Sequence, residues 1–419
     1  MIYGRLLFIT FILSISFSPL QAQDKDNVLH RLLKGNDSLF KAVLDRPIDH
    51  KVQIIYTKID RDKRNKPSFT TYTYNLDDSL YFYPASTVKL PASILALEKL
   101  NRLHIKGLNK YTTMITDSAW ERQTRVLYDS TSENKLPSIA HYIKKILLVS
   151  DNDAHNRLFE FMGQKYFNDE LWKKGFIKTK MYTRLAVGFS REQNKHTNPV
   201  TFMDGDKVIY RQEAQYNETD MKNEIYRLKQ GKGRLDSRDS LIMEPMDFTY
   251  NNYYPLSEQH ELIKRLMFPE AYAKEKRYQI TDDDYSFLYK YMSMLPRESK
   301  YPAYTDTTEF YDAYVKYFVF GDSKGKLDGK VRVFNKVGLS YGYLIDNAYI
   351  CDFDNKVEFI LSAFIHSNSD DIFNDNKYEY DQIGFPFLAN LGRVVYKYEL
   401  NRERKYKPDL RRFKFDYTK

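Results

Sequence analysis

Pro84-Ala85-Ser86-Thr87-Val88-Lys89 is the stretch on which the reading of this chain turns. It stands where strand-like sequence gives way to a helical pattern, Ser86 to Leu103, with Leu90, Ile94, Leu95, Leu97 and Leu100 largely on one side. Pro91 lacks a backbone donor, so a kink is expected in the second turn. Ser86 and Lys89, three apart, share a helix face. A neutral Lys89 could take the Ser86 proton, and burial or nearby positive charge favours the neutral amine. The helix N-terminus favours negative charge developing beside it. Ser is also an ordinary helix cap, so the motif carries weight only with company.

Upstream, Lys51 to Asp60 and Ser68 to Leu76 are rich in β-branched and aromatic residues, with polar Arg61 to Pro67 between them. This pattern predicts two antiparallel strands. Asn27 to Leu44 predicts a helix broken near Gly35. Downstream, Ser138 to Leu148 places Ile139, Tyr142, Ile143, Ile146 and Leu147 at amphipathic spacing. A second helix is expected from Asp153 to Met162. Ser150-Asp151-Asn152 fills the turn between them; all three are favoured capping residues, while Ser150 can also relay a proton and Asn152 can donate to a substrate amide.

Asn194 to Asn251 mixes charge, Gly and short apolar pieces and is read as an insertion without assigned structure. Helical patterns resume at Ser257 to Met267 and Asp284 to Met294. Strands are expected at Val331 to Lys336, Tyr343 to Asp352 and Val357 to His366, with Phe385 to Leu400 as a closing helix. Strands, helices, strands and a last helix predict an α/β lobe beside an all-α lobe, with a mostly antiparallel sheet and a cleft between the lobes. The α/β lobe takes residues 27–85 and 328–400, the helical lobe 86–327 with the insertion at about 194–251. Lys336-Val337-Gly338 ends one of the late strands. A lysine there can hold a carboxylate as a point charge, and Gly338 can admit a close backbone.

S-x-x-K, S-D-N and K-x-G thus occur in order: strand pair to helix, helix to helix, strand to strand. Together they resemble the signature of class A β-lactamases and penicillin-binding proteins. Ser150-Asp151-Asn152-Asp153-Ala154-His155-Asn156 resembles that family's extended helix start, and Thr183-Arg184-Leu185 the opening of its omega loop. The resemblance spans most of Asn27 to Leu400, the insertion excepted. It implies the two-lobe serine β-lactamase-like fold and an acyl-enzyme mechanism without metal or organic cofactor. Ser86 is then the nucleophile and Lys89 its base. Ser150 relays a proton to the leaving nitrogen, Asn152 orients the acyl amide and Lys336 anchors the carboxylate. Gly338, Leu339 and Ser340 border the substrate, with the N–H groups of Ser86 and Leu339 as oxyanion hole.

Two departures stand out. At the spacing of the family's omega-loop glutamate the chain has Phe189; Glu192, three residues on, becomes the candidate deacylation base. Val337 replaces the family's Thr. Both bear more on turnover than on acylation. The resemblance implies a class A-like β-lactamase and so antibiotic resistance. A D,D-peptidase or other amide or ester hydrolase, or a non-turnover penicillin-binding envelope protein, remains open beside it. The partner expected is a small β-lactam or peptidoglycan-derived molecule.

Gly338-Leu339-Ser340-Tyr341-Gly342 also matches G-x-S-x-G, but that nucleophile elbow needs a following helix, and Tyr343 to Asp352 reads as a strand. The eight histidines form no H-x-H or H-E-x-x-H, so a zinc site is not expected; His141 and His155 are read as helix-face residues. Cys351, the single cysteine, has apolar neighbours and reads as a strand residue.

The 419-residue chain is 42% hydrophobic and 16% aromatic, which excludes a disordered class. Arg5, the apolar run Leu6 to Phe17 and Leu20-Gln21-Ala22 predict a signal peptide at 1–22, leaving 23–400 as the hydrolase domain. Periplasmic or secreted location follows as an expectation, with no membrane span. The net charge of +9 is concentrated in 401–419, which holds eight Lys or Arg against three Asp or Glu. This basic tail is expected to be solvated or to rest weakly on anionic envelope. No nucleic-acid motif accompanies it.

Overall fold

The computed structural model describes residues 27–418. The expected signal peptide lies outside the described residues. Two short helices, α1 (Val28–Gly35) and α2 (Asp37–Leu44), precede the hairpin β1 (Gln53–Arg61) and β2 (Pro67–Tyr74). The helical lobe follows with α3 (Lys89–Arg102), strand β3 (Thr113–Thr116), α4 (Ile139–Val149), α5 (Asn152–Met162), α6 (Gln164–Lys173) and the short α7 (Arg191–Lys195). Next come β4 (Val200–Asp204), β5 (Lys207–Gln212), α8 (Leu256–Met267) and α9 (Asp282–Ser293). Three long strands, β6 (Val331–Ser340), β7 (Tyr343–Asp352) and β8 (Val357–His366), lead to α10 (Phe385–Asn401).

The main sheet has the order β6-β7-β8-β1-β2, and every neighbouring pair is antiparallel. Its two halves come from opposite ends of the chain and join where β1 meets β8, Gln53 opposite Phe364. Both faces are covered, so β7 and β8 are buried throughout. Alternation sends Leu344, Ala348 and Ile350 toward α1, α2 and α10, and Tyr349 and Cys351 toward the helical lobe. Burial of the larger apolar side chains, such as Leu344 and Ile350, contributes about 1.5–3 kcal/mol each. Cys351 is fully buried, and burial above all pushes its thiol well above the ordinary range.

Helix α3 runs through the centre of the helical lobe, buried from Lys89 through Glu98. Pro91 does not break it. A 3-10 turn, Ala85–Val88, precedes α3, and Pro91 falls in the first α-helical turn, where an N–H has no intrahelical acceptor.

The region read as an insertion without assigned structure is built of strands. β4 and β5 form a hairpin that pairs with β3, Met114 opposite Phe202. Lys229–Gln230 pairs with Met246–Asp247, and Gly233–Leu235 lies between Leu241–Ile242 and Ile372–Phe373. The basic C-terminal segment packs on the domain rather than standing off as a tail. Leu410 and Phe413 are buried, and the Phe413 ring meets Tyr349 at 4.7 Å and Tyr289 at 5.4 Å. Arg402 pairs with Asp60 and Glu399, and Arg412 with Glu270, so part of its charge is neutralised. Among the described residues no helix is long and apolar enough to cross a membrane.

Candidate active site

Ser86 is the one residue from Tyr81 through Glu98 that is not buried. The turn that carries it is tightly held. Thr87 donates both its N–H and its hydroxyl to the Pro84 carbonyl, at 3.1 and 2.7 Å. Ala85 adopts φ +48°, a left-handed conformation that costs a non-glycine residue about 1 kcal/mol.

Lys89 lies buried one helical turn beyond Ser86. Its ammonium donates to the Ser150 carbonyl, to Asn152 Oδ1 at 2.7 Å and to Ser150 Oγ at 3.3 Å. Burial lowers its pKa to about 7, against a smaller opposing pull from Asp151. Ser150 reaches it because α4 ends there in a left-handed cap, φ +61°, after which Asp151 caps α5 by accepting from the Ala154 N–H. The cap turns the Ser150 carbonyl to Lys89 and its hydroxyl to Lys336, whose Nζ lies 2.8 Å from Ser150 Oγ. Two lysines therefore meet at one hydroxyl. Lys336 is itself held well below the ordinary lysine range by burial and then by the Lys89 charge.

Lys336 and Gly338 share the sheet face toward the helical lobe. Val337 lies on the opposite face, in the core with Val333 and Leu344. The position where the resembled family has Thr is thus taken up by core packing. Gly338 is read from sequence as admitting a substrate backbone, but the space above it holds the Ser86 turn. A Cβ there would lie 2.8 Å from the Pro84 carbonyl oxygen and 3.1 Å from Thr87 Cγ2. The glycine seats the edge strand directly against the Ser86 turn.

β6 is an edge of the sheet. Its two-residue connection to β7, Tyr341-Gly342 with φ +54° and +81°, has the type I′ form. Ser340 and Tyr343 are then the closing hydrogen-bonded pair, and alternation turns the N–H and C=O of Leu339 and Val337 away from β7. Leu339 is 39% exposed, and Lys336 Nζ takes the Val337 carbonyl at 2.9 Å. The strand, not a helix, after this turn removes the nucleophile-elbow reading of Ser340.

The loop after Thr183 is anchored from both sides. Asn156 exchanges two 2.9 Å hydrogen bonds with the Leu185 backbone, and buried Arg184 pairs with buried Glu160. Glu192 lies on α7, and its side chain is 56% exposed. Its partners are His196 at 3.5 Å, Lys195 and Tyr216, none of which belongs to the Ser86 cluster. The structure brings together Lys89, Ser150, Asn152 and Lys336 and leaves Glu192 outside.

Sequence reasoning read His155 as a helix-face residue and gave it no part in the site. It is buried on α5, its Nδ1 has no partner, and burial, Lys89 and Lys336 hold its pKa well below the usual histidine range. Its place three residues after Asn152 on a helix was the available signal.

Residues 41–247 match the family described as Beta-lactamase enzyme family. Among solved structures, a β-lactamase from Desulfarculus baarsii is 12% identical, with 90% of this chain and 99% of that chain covered and a TM-score of 0.47. An ancestral class A β-lactamase gives 11%, 88%, 99% and 0.47 in the same order. A β-lactamase from Xanthomonas campestris gives 12%, 88%, 97% and 0.48. No curated protein matches. The matched stretch, residues 41–247, is similar to the β-lactamase enzyme family and holds Ser86, Lys89, Ser150 and Asn152.

Proposed function

We propose that this protein is an exported serine hydrolase that forms an acyl-enzyme on Ser86, with β-lactams among its acylating substrates. The observation that carries the reading is Lys89, buried, held near pKa 7 and joined to both Ser150 and Asn152. A lysine so poised is substantially neutral at neutral pH and can accept the Ser86 proton as Oγ attacks the carbonyl. The N–H groups of Ser86 and Leu339 receive the developing oxyanion. Ser150, between two lysines, passes a proton to the leaving nitrogen. With Asn152 Oδ1 occupied by Lys89, its Nδ2 is left to donate to the substrate amide. Lys336 supplies positive charge for the substrate carboxylate.

Deacylation is the weaker half of this machinery. The position of Glu192 favours a long-lived acyl-enzyme, and with it a D,D-peptidase or penicillin-binding role over rapid lactam turnover. Intact mass followed over time with excess benzylpenicillin tests both halves. The expected result is an adduct that persists and is absent from Ser86→Ala. An adduct that forms and clears as drug is consumed would establish a lactamase instead. No adduct at all would overturn the acyl-enzyme reading for β-lactams.

A further inference from the structure

A cavity of about 960 Å³ lies away from Ser86, between the start of β1, the end of β8 and residues 227–232. Its lining is strongly basic. Arg227, Lys229 and Lys232 come from the insertion and are exposed; Arg46 and Lys51 come from the approach to β1. Asp49 and Asp371 are the acidic residues in the wall. None of the five cations forms an ion pair with a described residue. Outside the Ser86 site several buried cations meet carboxylates, as Arg61 meets Glu358 and Lys174 meets Glu98. Lys51 instead donates to the neutral Gln230 Oε1 at 2.8 Å and Tyr343 hydroxyl at 3.3 Å. Burial lowers its pKa to about 8, partly offset by Asp371. Gathering like charges around a concavity costs free energy that a bound anion returns.

The wall also carries hydrogen-bond acceptors without donors. His50 Nδ1 lies 3.0 Å from the His366 carbonyl, to which it must donate, and its Nε2 is buried without a partner. Gln53 Oε1 and Asn368 Oδ1 are likewise buried and unpartnered, while their amide nitrogens donate to Asp77 and Ile372 carbonyls. Such atoms call for hydrogen-bond donors, which a hydroxylated ligand supplies. Phe82 and Phe364, stacked with ring centroids 4.0 Å apart, contribute an apolar wall.

We propose that this cavity binds a small hydroxylated organic anion of the sugar-phosphate or sugar-acid class. The cationic rim takes the anionic group, the orphaned acceptors take hydroxyls, and the aromatic wall takes the C–H face of the ring. The volume suits a ligand of one or two sugar units. Binding is independent of acylation at Ser86.

Isothermal titration calorimetry on the full-length protein tests this, with glucose 6-phosphate, glucuronate, inorganic phosphate and glucose as probes. One of the two sugar anions should bind at least about tenfold more tightly than phosphate or glucose alone. Which of the two binds better distinguishes a phosphate from a carboxylate ligand. Lys229→Glu with Lys232→Glu, on the exposed rim, should weaken that binding at least about tenfold without altering the thermal midpoint, and Lys51→Met should weaken it likewise. Ser86→Ala should bind as the parent does. Equal affinity for phosphate and the sugar anions would overturn the hydroxyl part of the proposal. Absence of binding, or binding indifferent to the rim reversals, would overturn it whole.

Discussion

A lysine with a pKa near 7 changes charge across the neutral range, and Lys89 is such a group. In the proposed mechanism its neutral form is the base, so the acylation rate should rise about tenfold per pH unit below 7 and level off above it. Stopped-flow acylation by a chromogenic β-lactam from pH 5 to 9 reads this directly; a rate independent of pH would remove Lys89 from the role. Lys89→Met should lower acylation by about 10²–10⁴-fold. The same depression has a stability signature. Between about pH 7 and the ordinary lysine range the unfolded chain binds the extra proton, so stability rises with pH across that window and Lys89→Met should flatten the rise. At Gly338 a methyl group would strike the Pro84 carbonyl. Gly338→Ala should cost about 1–3 kcal/mol in denaturant midpoints and displace Ser86, lowering acylation while leaving the far-UV spectrum unchanged.

At the scale of elements, the loop from Arg184 to Asn198 depends on one buried carboxylate. Glu160 takes Arg184 and, at 2.7 Å, the Asn198 N–H. Glu160→Ala leaves Arg184 buried without its partner and should cost about 3–5 kcal/mol. Limited proteolysis should then cut between residues 184 and 198, where the parent resists. Most of the regular elements were legible from periodicity. β7 and β8 match their expected bounds residue for residue, because long apolar runs flanked by turns admit few alternatives. The motif residues Lys89, Ser150, Asn152 and Lys336 could be named because the three short motifs occur together and in order, and each sits on a regular element or its cap. Glu192 could not be placed the same way. Spacing along a loop says nothing of which side the loop presents, and here a Ser190–Gln193 capping box winds that stretch into α7 with Glu192 outward. The β3-β4-β5 sheet was invisible because Thr113–Thr116 finds its partner far along the chain, across the four helices α4 to α7.

For the whole molecule, the C-terminal segment acts as a strap over the seam between sheet and helical lobe. Its composition reads as solvated charge; two apolar side chains, Leu410 and Phe413, override that reading once they find the aromatic cluster of Phe268, Phe334 and Tyr349. Phe413→Ala should destabilise the protein by about 3–5 kcal/mol, measured by urea unfolding. A loss within a few tenths of a kcal/mol would return the segment to the status of a tail.

The seam between β1 and β8 has a consequence for how the molecule comes into being. Gln53 cannot find Phe364 until nearly the whole chain has left the ribosome, so the sheet closes late and all at once. Until then β1 and β2 wait as an unpartnered hairpin beside a helical lobe that can collapse early from local contacts. Folding should therefore be slow, and a nascent chain stalled before residue 357 should remain an open substrate for proteases however completely its helices have formed.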